Sequence, residues 1–413
     1  MRLYFFFVFQ KYIRLLTRAR KRTENREKQY FCRAGLRFTA MPNRKKNTSG
    51  KVRNLILKLQ RNEIPDAQEY REVLLCHDRN AVSLLHEAAR EASVRRFGNG
   101  IHIRGLVEIT NICRNDCFYC GIRRSNGRVT RYRLTRSEIL GCCRRGYASG
   151  FRTFVLQGGE LPDSADRDIA GLCSAIRSEF PDCAVALSLG ERSEEGYRMF
   201  REAGATRYLL RHETRDPVHY SRLHPPGMSL SNRLHCLDML KDMGYMTGTG
   251  IMVGSPYQSI GNIVDDILYM ARFRPEMIGI GPFIPHRDTP FAGARRAKAY
   301  SVAGGVEDTF HVPLPEWDAG EMTLKLISIF RLMFPDAFIP ATTALATFYP
   351  DGHERGILAG ANVVMPNLSP PSVRDDYSLY DGKVAYGAES AEGLDELRIR
   401  LEDIGYRILL SEA

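Results

Sequence analysis

From about residue 105 onward, the pattern of apolar and polar positions along the chain changes period repeatedly. Short runs dense in Val, Ile and Leu give way to stretches whose apolar residues recur every three or four positions. The first pattern is expected of strands buried on both faces, the second of helices with one covered face. In chain order, GLVEITNI precedes SEILGCCRRGYA, TFVLQGG precedes DRDIAGLCSAIRSEF, AVALSLG precedes SEEGYRMFREAG, and RYLLRHE precedes LSNRLHCLDMLKDMG. MTGTGIMVG then precedes SIGNIVDDILYMARF, MIGIGPFI precedes EMTLKLISIFRLMF, AFIPATTAL precedes HERGILAG, and ANVVMPNL precedes LDELRIRLEDIG. Strands alternating with helices predict parallel pairing through crossover helices. Eight such units predict an α/β fold closed into a (βα)8 TIM-type barrel, with its active site at the strands' C-terminal ends. An open doubly wound sheet is the competing architecture, but no G-x-G-x-x-G opens a helix after the first strand. Ser137 or Thr135 is expected to cap the helix after that strand.

Polar residues and glycines gather where each run stops: Cys113, Gln157 to Glu160, Ser188, Arg211 to Glu213, Met252 to Gly254, Pro285 and His286, Thr342 and Thr343, and Asn367. This ring matches the mouth of a barrel, although strand ends are also simply where solvent begins. Ahead of the barrel, residues 60–100 read as two or three helices that plug its bottom or flank its first strand. The expected organisation is a basic, poorly ordered tail over 1–44, a helical extension over 45–104, the barrel over 105–383, and a C-terminal helix packed on it over 384–413.

Charge sharpens this picture. The formal net charge is +11, yet residues 1–60 hold 17 Lys and Arg against 2 Glu, so the rest of the chain is mildly acidic. The basic character therefore belongs to the tail, and no nucleic-acid partner is expected of the body. The tail's apolar run, Leu3 to Phe9, is far short of the ~20 residues that span a bilayer, so no membrane span is expected. An amphipathic helix at a membrane surface is one reading of it. The other is that residues 1–40 lie upstream of a native start at Met41. The ten cysteines have no regular pairing and no export signal precedes them, which points to a reducing cytoplasm. Cys142, Cys143, Cys173 and Cys236 fall in helix-like patterns and read as core residues.

The candidate chemistry lies in CRNDCFYC, where Cys113, Cys117 and Cys120 are spaced C-x3-C-x2-C just past the first strand. Structural zinc needs four protein ligands, usually as two short-spaced pairs, and no C-x2-C or H-x3-H partner follows. Three thiolates on one loop can instead hold three corners of an iron–sulfur cube. At this place in a barrel pattern, with Tyr119 before the last cysteine, the motif resembles the radical S-adenosylmethionine (SAM) superfamily. That resemblance implies a 4Fe–4S cluster on the three cysteines, its fourth iron chelated by the amino and carboxylate groups of SAM. One electron would cleave the sulfonium bond to give a 5′-deoxyadenosyl radical. The glycine-rich turn Gln157, Gly158, Gly159 and Glu160, together with Ser188, Glu213, Arg233 and Met252, would then hold SAM.

The stretches ITNICRNDCFYCGIRRSN, YLLRHETRDPVHYSRLHP, GIMVGSPYQSI, IGIGPFIPHRDTPFAG and IPATTA look like the HydE family of radical SAM maturases of FeFe-hydrogenase, from about residue 45 to 383. This implies a role in assembling the di-iron subcluster of the hydrogenase H-cluster from an iron–cysteine complex carrying CO and cyanide. Arg211, Thr342, Thr343, Tyr377 and Tyr380 would line the substrate end. Companion maturases and a reductant such as ferredoxin or flavodoxin would be partners. Methylornithine synthase and biotin synthase are related alternatives, but biotin synthase needs cysteines on later strands and none follows Cys236. For the same reason an auxiliary C-terminal cluster, carried by some family members, cannot form. Gly158 stands where the family pattern has Ser, and Ala186 where it has Thr. A non-catalytic iron–sulfur or zinc protein is the alternative of a different class.

Overall fold

The computed structural model describes residues 44–296 and 313–410; the expected basic tail lies almost wholly outside them. Three helices come first: α1 (Arg44–Gln60), α2 (Ala67–Leu74) and α3 (Arg79–Phe97). Asp66 and Asp78 begin the second and third, each accepting backbone N–H bonds that the first helical turn cannot satisfy internally. Next come β1 (Gly100–Ile103), β2 (Gly105–Thr110), α4 (Arg136–Ala148), β3 (Thr153–Gly158), α5 (Asp166–Glu179), β4 (Ala184–Ser188), α6 (Glu194–Glu202) and β5 (Ala205–Leu209). The chain continues through α7 (Pro217–Leu223), α8 (Leu230–Asp242), β6 (Met246–Thr249), β7 (Met252–Val253), α9 (Ile260–Phe273), β8 (Met277–Ile278) and β9 (Gly281–Pro282). Thr135, rather than Ser137, caps α4, and Glu138 returns the bond to complete a capping box.

Six strands pair in parallel in the order β2-β3-β4-β5-β6-β8. Single parallel bridges complete the circle: Met277 to Phe338, Pro340 to Val363, and Asn367 to Leu106. The seventh unit, AFIPATTAL, therefore contributes bridging residues and no full strand. Pro340 has no N–H to give a ladder, and Thr342 already caps the next helix, Thr343–Phe348. All strand ladders are parallel and closure runs from first strand to eighth, as a (βα)8 barrel requires.

Among the described residues, four strands fall outside the predicted eight: Arg295–Arg296 and Pro313–Leu314 pair with each other, and the other two meet at the barrel's base. β1 continues directly into β2, and it pairs with Val363–Val364 on one side and with the C-terminal strand Arg407–Leu409 on the other. The C-terminal helix, Leu394–Asp403, is thus followed by a strand that anchors the chain's end to the barrel's base. α3 lies along the helix Ala319–Met333, with Ser328 Oγ 2.7 Å from His86 Nδ1, and Lys325 Nζ of that helix donates to the carbonyls of Leu74 (2.8 Å) and Cys76 (2.6 Å) at the end of α2. At the end of α3, Phe97 packs on His102 and Phe338 where strands one and seven begin.

Strand register separates two environments. Val107, Ile109, Phe154, Leu156, Val185 and Leu187 face the helices and join the main core. Leu106, Val155 and Ala186 point inward and, with Met365, make an apolar layer inside the barrel. One step toward the mouth, the register aligns Glu108 with Gln157 and Gln157 with Ser188. The interior thus changes from apolar to polar within two residues, because successive side chains alternate across a strand.

Candidate active site

Past Thr110 the chain leaves β2 and forms the loop that carries the three cysteines. Cys113, Cys117 and Cys120 are free thiols bordering one cavity of about 330 Å³ at the barrel's mouth. Close approach of the next loop makes this possible: Gly159 donates its N–H to the Thr110 carbonyl, and a Cβ at Gly159 would sit 2.2 Å from the carbonyl oxygen of Ile112. Only glycine fits there. The Cys113 sulfur accepts the N–H groups of Asn115 and Glu160, both at 3.4 Å. Burial pushes all three thiols up, Cys120 to about 12, and each neighbouring sulfur adds to the rise for Cys117. These thiols give up their protons readily only to a metal that takes their charge. Among the cavity's lining residues they are the only cysteines and no histidine joins them, so a structural zinc site of four cysteine or histidine ligands is not assembled there. Three thiols with free space beside them suit a cluster that leaves a corner exposed.

The second half of the cavity is polar. Arg211 and Glu213 end the fifth strand's run and form an ion pair at 3.0 Å, while the intervening His212 turns outward to Thr249 (2.9 Å) and Asp266 (3.3 Å). Glu213 is held at φ 64°, a left-handed conformation that costs a non-glycine residue roughly 1 kcal/mol or more. Its Oε2 is buried without a hydrogen-bond partner. A carboxylate oxygen left bare in a cavity, on a strained backbone, is arranged for a cationic ligand group such as an ammonium. Arg233, from the first turns of α8, donates to Glu191 Oε1 (2.5 Å) and to the Arg211 carbonyl (2.6 Å). Gln157, Gly158, Ser188 and Met252 line the same space. Glu160 lines it too, but its carboxylate is committed to Arg114 (2.8 Å) and to the Glu191 N–H (2.9 Å), tying the cysteine loop to the loop after β4.

Toward the barrel's interior stand Thr342, Thr343, Tyr377 and Tyr380. Gln157 Nε2 reaches the Tyr377 hydroxyl at 3.4 Å, and Thr343 donates to Glu389 at 2.7 Å. Thr342 points its hydroxyl at the Ile280 carbonyl (3.3 Å). Of the strand-end ring, His212, Val253, Gly254, Pro285, His286 and Asn367 do not border the cavity.

Sequence reasoning passed over several of the residues that shape this space. Lys383 lies in the cavity wall and pairs with Glu108 at 2.6 Å, and Asn367 holds the other oxygen of Glu108 at 2.8 Å. Glu191 and Glu389 orient Arg233 and Thr343. Only Glu108 left a signal, a lone carboxylate inside the apolar run GLVEIT.

Comparison with known proteins agrees with this geometry. The radical SAM superfamily pattern matches residues 107–270, the segment that holds the cysteine loop, Glu213 and Arg233. Over 332 residues the chain is 41% identical to the FeFe hydrogenase maturase subunit HydE of Thermotoga maritima, covering 80% of this chain and 88% of that one. The 3-methylornithine synthase of Methanosarcina barkeri is 28% identical over 76% of this chain and 82% of its own. The crystal structure of a methylornithine synthase, PylB, superposes with a TM-score of 0.70 at 25% identity, covering 86% of this chain and 97% of that one. A barrel with three thiols at its mouth, matched along its length at this identity, leaves one assignment: the chain belongs to the HydE family of maturases and is a radical SAM enzyme.

Proposed function

We propose that this protein acts in maturation of an FeFe hydrogenase, building the di-iron part of its metal centre from a small iron complex that carries a cysteine, CO and cyanide. The observation that carries the reading is the bare Glu213 oxygen in the same cavity as three thiols that no fourth cysteine and no histidine joins. Cys113, Cys117 and Cys120 would hold a 4Fe–4S cluster, and Glu213, Gln157 and Arg233 would hold SAM. What this pair supplies when bound is one-electron cleavage of SAM to a 5′-deoxyadenosyl radical.

The remaining chemistry belongs to the chain's own residues. Glu213 can accept the ammonium of a bound amino-acid group, with Arg211 beside it as a planar donor for a carboxylate. Arg211, Lys383 and the tyrosines offer cations and hydroxyls to an anionic metal complex. The apolar layer of Leu106, Val155, Ala186 and Met365 closes the barrel below and limits water and stray hydrogen donors near a reactive radical. With Ala186 in that layer, the floor carries no hydroxyl where the family pattern has one. Companion maturases and a low-potential reductant such as ferredoxin or flavodoxin would be its partners, in the cytoplasm. Among the described residues, no helix is long and apolar enough to cross a membrane.

The test is reconstitution. Anaerobically loaded protein should convert SAM to 5′-deoxyadenosine with a reductant and restore hydrogenase activity to an extract lacking only this maturase. Cleavage without restoration, paired with turnover of lysine, would assign the chain to the methylornithine synthase reaction instead. Iron uptake with no SAM cleavage would refute both.

A further inference from the structure

Arg131 lies eleven residues beyond Cys120, outside every motif that marks the site. Its guanidinium spans the neck of the cysteine loop. One terminal nitrogen donates to the carbonyls of Asn111 (2.6 Å) and Ile122 (2.8 Å), the other to those of Arg123 (2.6 Å) and Asn126 (3.1 Å). Asn111 precedes Cys113 by two residues, and Ile122 follows Cys120 by two. A single planar fork therefore fastens both the entry and the exit of the segment that carries all three thiols. Asn111 reinforces the neck, giving its side-chain N–H groups to the carbonyls of Thr130 (2.7 Å) and Asp376 (2.8 Å) and accepting the Tyr132 N–H (2.8 Å). Arg123, nearby in the loop, is neutralised by Asp116 at 2.6 Å. Arg131 is not: among the described residues its partners are carbonyl oxygens rather than carboxylates.

Resting on the radical SAM reading of this loop, we propose that Arg131 is a positioning residue: it holds both ends of the cysteine loop in place before iron arrives, and its uncompensated charge makes the loaded cluster easier to reduce. Two physical consequences follow. Lysine cannot replace it as a clamp, because one ammonium cannot reach four carbonyls arranged around a plane. Lysine can replace its charge, and net charge near a cluster is one of the levers on its potential. The two roles therefore separate in two variants.

The experiment uses full-length protein, wild type, Arg131→Lys and Arg131→Gln, reconstituted anaerobically with ferrous iron and sulfide. Iron retention is measured by competition against EDTA, the midpoint potential by EPR-monitored redox titration, and the fold by thermal melting of the iron-free protein. Both variants should melt like wild type and lose iron to the chelator roughly 10- to 100-fold more readily, the usual cost of removing a group that orients metal ligands. The glutamine variant should titrate at a more negative potential, and the lysine variant should return toward wild type. Folded variants that hold iron and titrate as wild type does would overturn the proposal. So would iron-free variants that no longer melt cooperatively, since Arg131 would then serve the whole fold. A wild-type protein that takes up no four-iron cluster would overturn the family reading itself, a result visible before any variant is compared.

Discussion

At the scale of single residues, what a side chain can do here depends on which of its atoms are already engaged. Glu213 and Glu160 are both buried carboxylates bordering one cavity, yet Glu160 has both oxygens occupied and Glu213 has one bare. The same distinction separates the cysteines. Cys117 borders the cavity, whereas Cys236 is buried at 1% exposure with its sulfur 3.8 Å from the Arg192 carbonyl. Cys117→Ala should abolish formation of 5′-deoxyadenosine and lower the iron bound per chain. Cys236→Ala should keep iron content and most of the activity, with only the modest loss of melting temperature that a small core truncation brings. Equal loss of iron in both variants would contradict the division between ligand and core thiols.

At the scale of elements, the packing of α3 against the helix Ala319–Met333 depends on a histidine kept neutral. Burial, helped by the nearby Lys325 charge, depresses His86 to about 4, and His219, in α7, is depressed by burial to about 4 as well. An unfolded histidine titrates near ~6.5, so between these values the unfolded chain binds more protons than the folded one. Stability from these two groups is fully present above ~6.5 and falls as the pH drops toward 4. Melting midpoints measured from pH 7.5 down to 4.5 should therefore decline below ~6.5, and His86→Gln should flatten part of that decline. A midpoint that rises on acidification over this range would show that neither ring is held neutral.

At the scale of the whole molecule, closure of the barrel joins segments more than 250 residues apart. Leu106 bridges Asn367, and β1 pairs with Arg407–Leu409. Removing residues 404–413 would bare the edge of β1, whose N–H and C=O groups then lose their partners. The truncated protein should melt at a lower temperature and aggregate more readily. Its folded fraction should still take up iron and cleave SAM, because the cavity lies at the opposite end of the strands. Loss of iron uptake in that folded fraction would mean that the base and the mouth are coupled.

The barrel class, the cysteine loop's place after strand one, and seven of the eight barrel strand runs were legible in the chain. Each rests on local spacing: the period of apolar residues, a capping threonine, three thiols within eight positions. That Gln157 and Glu213 border the cavity follows from their place at strand ends, where a barrel displays its chemistry, whereas Arg233 reaches it from the first turns of α8. Pairings between distant segments had no local signature. Nothing around Lys383 marks it as the partner of Glu108, and nothing near Arg131 shows that four carbonyls converge on it. A short-range pattern records which face of an element is apolar, whereas the identity of the group met across the barrel is decided only when register and closure bring remote segments together.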